Sequence, residues 1–405
     1  MTTVPYLIIG GGPCGLGAAC RLHEAGAEWL LLEADDHLGG LASSFVDEAG
    51  FTWDLGGHVH FSHYDTFDRY MDLALGTDGW LSHVRESWVW MRHRFIPYPF
   101  QNNVHRLPAE DLEHCVRGLR EAAASSPDDP PRNFEDWMLR VFGRGIADVF
   151  MRPYNFKVWA YPPRKLDWNW IGERVAVPDY TKLLASIEAR RDDRSWGPNS
   201  TFQFPKHGGT GGIYRALGRR LPAERIRLAE RVVRIDAAAR TATTTTGASI
   251  GYDHLLSTMP LDKLLTCAPG VADPATADRL LFSSVHVVGV GIEGTPPEHL
   301  HTKCWMYFPE SHNPYYRVTV FSNYSPHNVA RPGEQWSLMA ETSQSPDKPV
   351  DAASIVKDTI RALQHDRLLP EGARLATTVH RLLPQAYPTP FLGRDEVVDP
   401  LLDAF

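Results

Sequence analysis

Val4-Pro5-Tyr6-Leu7-Ile8-Ile9-Gly10-Gly11-Gly12-Pro13-Cys14-Gly15 opens the chain and decides its fold. Val4–Ile9 is an apolar run of strand length that ends in a G-x-G-x-x-G turn at Gly10, Gly12 and Gly15. Leu16–Ala25 behind it is rich in Leu and Ala and reads as a helix; Trp29–Leu32 is a second apolar run ending on Glu33. Strand, glycine turn, helix and strand make the first unit of a Rossmann-like, dinucleotide-binding domain. One glycine permits the tight turn, one lets a pyrophosphate approach the backbone, and one lets the helix pack close to the strand. The helix N-terminus meets the phosphates with unpaired N–H groups and a partial positive charge. Glu33, 18 residues after Gly15, stands where an acid can accept bonds from a ribose diol.

The continuation Gly39-Gly40, six residues after Glu33, and Ala42-Ser43-Ser44 resembles the two-dinucleotide-binding flavoproteins, which implies FAD as the cofactor. Composition sets the outer bounds. At about 150 residues per domain, 405 residues suggest two or three domains. A net charge of −8 argues against a general nucleic-acid surface. The longest apolar runs fall far short of the ~18–20 residues that span a bilayer, and the first positive charge is Arg21, so no basic n-region precedes them. The five cysteines, Cys14, Cys20, Cys115, Cys267 and Cys304, are scattered and form no C-x-x-C pair, which excludes a disulfide scaffold and zinc spacing. A cytoplasmic protein is expected.

Further along, Leu107–Ala124 carries Leu112, Val116 and Leu119 on one helical face, and a Ser/Pro/Asp loop at 125–131 stops it. Asn133 is placed to cap a helix with Phe134, Trp137, Met138, Val141 and Phe142 on one side, ended by Gly143 and Gly145; Ile146–Arg152 reads as another helix. From about 225, Arg231–Ile235, Thr241–Thr246, Val285–Ile292, Tyr315–Phe321, Trp336–Thr342 and Ala376–Arg381 read as strands of a mostly antiparallel sheet, interrupted by a helix near Ala352–His365. His207–Gly212 is a second glycine turn opening a helix, again suited to backbone approaching a ligand.

Several strings are more specific: Gly56-Gly57-His58-Val59-His60-Phe61-Ser62-His63-Tyr64, Pro97–Asn103, Phe150–Trp159, Gly172-Glu173-Arg174, Phe204–Gly212, Tyr315–Pro326 and Tyr387-Pro388-Thr389-Pro390. Together they closely resemble the UDP-galactopyranose mutases, especially the eukaryotic type, over nearly all of the chain. The resemblance implies an α/β fold: a Rossmann-like FAD-binding domain (1–90 with 206–265), a helical substrate-binding insertion (104–195) and an antiparallel sheet domain (91–103 with 266–390). It implies a redox-neutral isomerase that interconverts UDP-galactopyranose and UDP-galactofuranose. In that family, the resemblance implies, reduced flavin N5 would act as nucleophile on the anomeric carbon and displace UDP, which would return once the sugar has re-closed in its other ring form. NADPH or NADH is the expected reductant, a UDP-sugar the partner, and a homo-oligomer, with no nucleic acid and no membrane insertion, the expected state.

Carried over position by position, Arg174 and Arg317 match the family's diphosphate arginines, whose planar guanidinium forks suit phosphate oxygens. Tyr98, Gln101, Phe150, Asn155 and Trp159 match the uridine side; Asn199, Tyr307, Tyr324 and Tyr387 match positions near the sugar and phosphates. Arg85 and Ser87 match flavin contacts. Gly57 lies in the loop that the family runs beside the isoalloxazine ring, with His58 and His63 responding to its redox state. His58 and His60 would share one face of a strand, but no carboxylate or cysteine stands nearby at metal-ligand spacing, so no metal is expected. The family continues beyond the Tyr387 region into a segment that closes on the flavin, and residues 391–405 are expected to be an incomplete version of it. The alternatives are the same chemistry on another sugar nucleotide, an amine-oxidase-like flavin oxidoreductase, which has no need of paired phosphate arginines, and a nucleotide-sugar binder without turnover.

Overall fold

The computed structural model describes residues 2–125, 129–174, 178–194 and 200–404. The chain divides into two compact units, one of residues 1–82, 203–280 and 395–405 and the other of 83–202 and 281–394.

The first unit is Rossmann-like. Its six-stranded sheet runs Val232–Asp236, Thr241–Thr244, Ser249–Ser257, Thr2–Ile9, Trp29–Leu32, Ile226–Arg227. The strand Thr2–Ile9 is parallel to both neighbours, with Tyr6 opposite Trp29 and His254, and Ile226–Arg227 is parallel at one edge, whereas Val232–Asp236 and Thr241–Thr244 at the other are antiparallel. The expected antiparallel texture after 225 is therefore split, because Ser249–Ser257 closes the parallel core. Alternation along the central strands sends Ile8 and Leu31 to one face, beneath the helices Pro13–Glu24 and Gly209–Gly218, and Leu7, Ile9, Leu30 and Leu32 to the other. Both faces are covered, as a parallel sheet requires. From Asp395 on, the helix Arg394–Ala404 belongs to this unit, and it buries Val397, Val398 and Leu401.

The second unit joins a helical layer to a seven-stranded sheet ordered Leu375–Pro388, Phe282–Glu293, Gln335–Gln344, Arg317–Val320, Trp305–Tyr307, Ser87–Met91, Arg94–Pro97. Every pairing is antiparallel except Trp305–Tyr307 with Ser87–Met91. Helix Ala109–Ala124 packs on Phe134–Ile146, which Asn133 caps by accepting from the Asp136 N–H at 2.9 Å. Gly143 and Gly145 do not end the second helix as expected. Gly143 takes φ +71° and kinks it, and a Cβ there would stand 2.0 Å from the Gly118 carbonyl oxygen. Glycine is needed where the two backbones touch. Helical structure continues through Ala147–Met151 into Arg152–Trp159.

Candidate functional site

In the first unit the opening turn is built from glycines that no other residue could replace. Gly10 has φ +105°, its N–H donates to the Leu32 carbonyl at 2.8 Å, and an added Cβ would lie 2.1 Å from Thr258 Oγ1. A Cβ on Gly15 would lie 1.8 Å from the Gly10 carbonyl oxygen. Gly39 N–H donates to the Gly11 carbonyl at 2.9 Å, which brings Gly40 against Gly12. Glu33 is buried beneath this turn, accepting the Gly11 N–H at 2.5 Å on Oε2 and the Asp35 N–H at 2.8 Å on Oε1. Its carboxylate thus fixes the turn itself. Helix Pro13–Glu24 starts at Gly12, which has no side chain to cap it. Its first N–H groups and its dipole are therefore disposed toward an external anion, and the residues present fit a dinucleotide pyrophosphate.

The second glycine turn behaves differently. Helix Gly209–Gly218 also starts on glycines, but Asp54 and Ser44 already occupy its N-terminus. Thr210 N–H donates to Asp54 Oδ1 at 3.1 Å, Gly211 N–H donates to Ser44 Oγ at 2.7 Å, and the Ser44 hydroxyl donates to Asp54 Oδ1 at 2.5 Å. The expectation that these N–H groups approach a ligand fails, because a buried carboxylate takes the ligand's place. Asp54 is wholly buried, and burial pushes its pKa up to about 6, against the pull of Ser44 and Thr210.

His58 and His60 do not lie on a strand. His60 makes an isolated bridge to Gln203, its ring stacked on Phe67 (centroids 6.3 Å apart) and edge-on to Trp80 (5.7 Å). Burial, then His58, lowers its pKa to about 4, so it is a neutral packing residue. Gly57 and His58 follow in the same irregular segment, His58 half-buried with its N–H on the Gly56 carbonyl at 2.9 Å, and His63 is exposed.

The second unit gathers most of the remaining expected residues around Arg317. Arg317 and Glu341 face each other on adjacent antiparallel strands. The guanidinium grips the carboxylate through Nε and Nη2, each at 2.7 Å, and Tyr316 Oη donates to Glu341 at 2.9 Å. Burial works against the Arg317 charge, but Glu341, Tyr316 and Tyr387 outweigh it and raise the guanidinium pKa further above its ordinary value. Two of its five N–H donors are used by this grip; the other three meet no acceptor among the described residues. Aromatic rings surround it: Tyr154 is edge-on to Tyr307 (5.4 Å), Tyr98 leans on Tyr307 (5.0 Å), and Trp159 is edge-on to Tyr387 (6.1 Å). Burial, first, raises the hydroxyl pKa of Tyr98, Tyr154 and Tyr324, so these phenols stay neutral donors.

Arg85 lays its guanidinium over the Trp305 ring at 4.8 Å, and Trp305 Nε1 donates to Tyr307 Oη at 2.5 Å. Ser87, opposite Trp305 in the sheet, has a buried hydroxyl with no partner among the described residues. Tyr324 is buried against Phe202 and Trp305. Gln101 sits half-buried in the short turn Phe100–Asn102. Phe150 stacks on Phe100 at 4.4 Å and on Tyr154 at 5.1 Å. The Asn155 amide donates to the Met151 carbonyl one turn earlier, at 2.8 Å. The Arg174 side chain and all of Asn199 lie outside the described residues. The sequence reading missed Glu341, Tyr154 and Trp305. Glu341 had a signal: a lone carboxylate in the apolar run Trp336–Thr342 needs a cation across the sheet.

The model of the flavin containing amine oxidoreductase family matches residues 13–399. The crystal structure of a reduced UDP-galactopyranose mutase superposes with a TM-score of 0.95 at 48% identity, covering 100% of this chain and 87% of that one. This chain belongs to the UDP-galactopyranose mutase family. A probable UDP-galactopyranose mutase of Klebsiella pneumoniae is 22% identical over 41% of this chain and 44% of its own length. The chain spans less than half the length of the curated relatives it matches. A putative protoporphyrinogen oxidase from Exiguobacterium sp. 255-15 shares the fold, with a TM-score of 0.75 at 16% identity over 100% of this chain and 91% of that one. Among the described residues, no helix of this mutase-family chain is long and apolar enough to cross a membrane.

Proposed function

We propose that this chain is a flavin-dependent, redox-neutral mutase that interconverts UDP-galactopyranose and UDP-galactofuranose, with FAD as its cofactor. The observation that carries the reading is Arg317: a half-buried guanidinium held in one orientation by Glu341, with tyrosines beside it and three N–H donors that meet no acceptor among the described residues. An ordinary structural ion pair has no need of that surround, whereas a nucleotide diphosphate needs both the charge and the neutral phenol donors. When bound, reduced FAD supplies the nucleophile for the anomeric carbon. The protein's part is to hold the diphosphate at Arg317, with Arg174 as its counterpart, so that UDP stays in place while detached from the sugar. Tyr307, Tyr324 and Tyr387 would stabilise the charge that develops on the departing phosphate. The glycine turn and the helix at Gly12 would hold the FAD pyrophosphate, with NADPH or NADH as the class of reductant that readies the flavin.

Chromatography of UDP-galactofuranose incubated with the protein tests this. Dithionite-reduced protein should form UDP-galactopyranose without consuming reductant per turnover, and oxidised protein should not. Equal rates in both redox states, or stoichiometric hydride consumption, would sink the mutase reading.

A further inference from the structure

We infer that the second unit carries a divalent-cation site for zinc or a similar imidazole-binding metal, made by His312, His365 and Asp366. Among the described residues, this group has its three candidate ligand atoms within 4.8 Å of one another. Asp366 Oδ1 lies 2.8 Å from His312 Nε2 and 3.3 Å from His365 Nδ1. Ligands at zinc's usual ~2.0–2.1 Å stand about 2.9–3.4 Å apart when adjacent, so both imidazole nitrogens stand at about ligand spacing from Asp366 Oδ1, and the two nitrogens lie within 4.8 Å of each other.

The support behind the carboxylate makes this more than a chance cluster. Asp366 is buried, and its other oxygen accepts from Tyr315 Oη at 2.6 Å and from Asn313 Nδ2 at 2.9 Å. Lys157 Nζ in turn donates to Asn313 Oδ1, which fixes the amide with its nitrogen toward Asp366. Oδ2 is thus committed to protein donors while Oδ1 is aimed at two imidazole nitrogens, as an outer ring of hydrogen bonds orients a metal-binding carboxylate. Charge points the same way. Asp366 is the C-cap of helix Ile355–His365, so a buried carboxylate stands at the negative end of a helix dipole. The Lys157 ammonium donates to Asn313 Oδ1 and to the Glu310 carbonyl, so it acts on Asp366 through space while Asn313 holds the hydrogen bond.

Both imidazoles open to solvent, which gives a metal its entry and water its place in the remaining coordination positions. His93 borders the site, its ring 5.8 Å from that of His365, on a two-residue turn whose Arg92 is tied to Glu310 at 2.8 Å. The ligands come from a loop and a helix end 53 residues apart, so a bound cation would fasten the loop preceding Arg317 to the helix. Binding displaces the imidazole protons that now face Asp366, to the far ring nitrogens or to solvent.

The test is titration of chelator-stripped holoprotein with zinc chloride by calorimetry, and with cobalt chloride by visible absorbance. Because His312 and His365 are exposed, His312→Ala, His365→Ala and the double variant should retain the fold, checked by circular dichroism and flavin content. The wild type should take up one more zinc per chain than the double variant, and each single variant should bind that ion at least about 10-fold more weakly. No saturable uptake by the wild type, or the same stoichiometry and affinity in the double variant, overturns the assignment. Neither readout depends on mutase activity, so this site can fail while the proposed reaction stands.

Discussion

Replacing Glu341 with Gln should destabilise the second unit by about 3 kcal/mol. Glu341 is almost fully buried at 2% side-chain exposure and meets Arg317 with two bonds of 2.7 Å; Arg317 keeps 20% of its side chain in solvent. Removing one partner of a buried ion pair costs roughly 3–5 kcal/mol, and the part-exposed guanidinium places this pair at the lower end. Gln preserves the shape and one acceptor, but it removes the charge and turns an amide donor toward a guanidinium donor. It also weakens the bond from Tyr316 Oη. Replacing both partners, as Arg317→Met with Glu341→Met, leaves no uncompensated charge and should cost less than Glu341→Gln alone. Urea unfolding followed by tryptophan fluorescence measures this, since Trp88, Trp90, Trp305 and Trp336 lie in the same sheet. A Glu341→Gln loss below about 0.5 kcal/mol, or a double variant no more stable than the single, would refute the reasoning that the pair is held together by mutual neutralisation.

The buried Asp54 predicts a pH dependence of opposite sign to the usual carboxylate. Its folded pKa, raised from 3.8 to about 6, means that the folded state holds the proton more tightly, so the stability it contributes is present below about pH 4 and lost as pH rises through 6. The loss amounts to about 3 kcal/mol at roughly 1.36 kcal/mol per pH unit, and Asp54→Asn should flatten the stability curve in that window. An unchanged slope would count against it. Gly15→Ala, whose Cβ meets the Gly10 carbonyl at 1.8 Å, should yield protein depleted of flavin by absorbance and heat extraction; full occupancy would contradict the turn's proposed role. Arg317→Ala and Arg174→Ala should each lower kcat/KM for the UDP-sugar by about 10- to 150-fold, the worth of one charge-assisted contact. Unchanged kinetics in both variants would remove the diphosphate assignment.

Much of this molecule was legible because its signals are local. The strand, turn and helix at Val4–Glu24 follow from apolar run and glycine spacing, and the cap at Asn133 follows from one side chain and the N–H three residues on. Even the steric demand at Gly10 and Gly15 is written in the spacing, since the turn closes on itself. Periodicity misled where a distant partner changed a segment's role. Gly143 looked like a helix stop, yet it is the place where two helix backbones touch. The His207–Gly212 turn looked open to a ligand, yet Asp54, more than 150 residues away in sequence, fills it.

The sequence by itself determined the Rossmann-like start, because motif spacing is a property of neighbours along the chain, and its resemblance to a known family pointed to that family and to Arg317. Only the tertiary structure decided what each polar group faces. Glu341 became the partner of Arg317 through sheet register, Phe150 came to stack on Phe100 and Tyr154, and Asp366 met His312 across 54 residues. The physical reason is that a buried charge or ring is defined by the atoms that replace its water. Those atoms come from whichever segments the packing brings together, and no spacing along the chain encodes them.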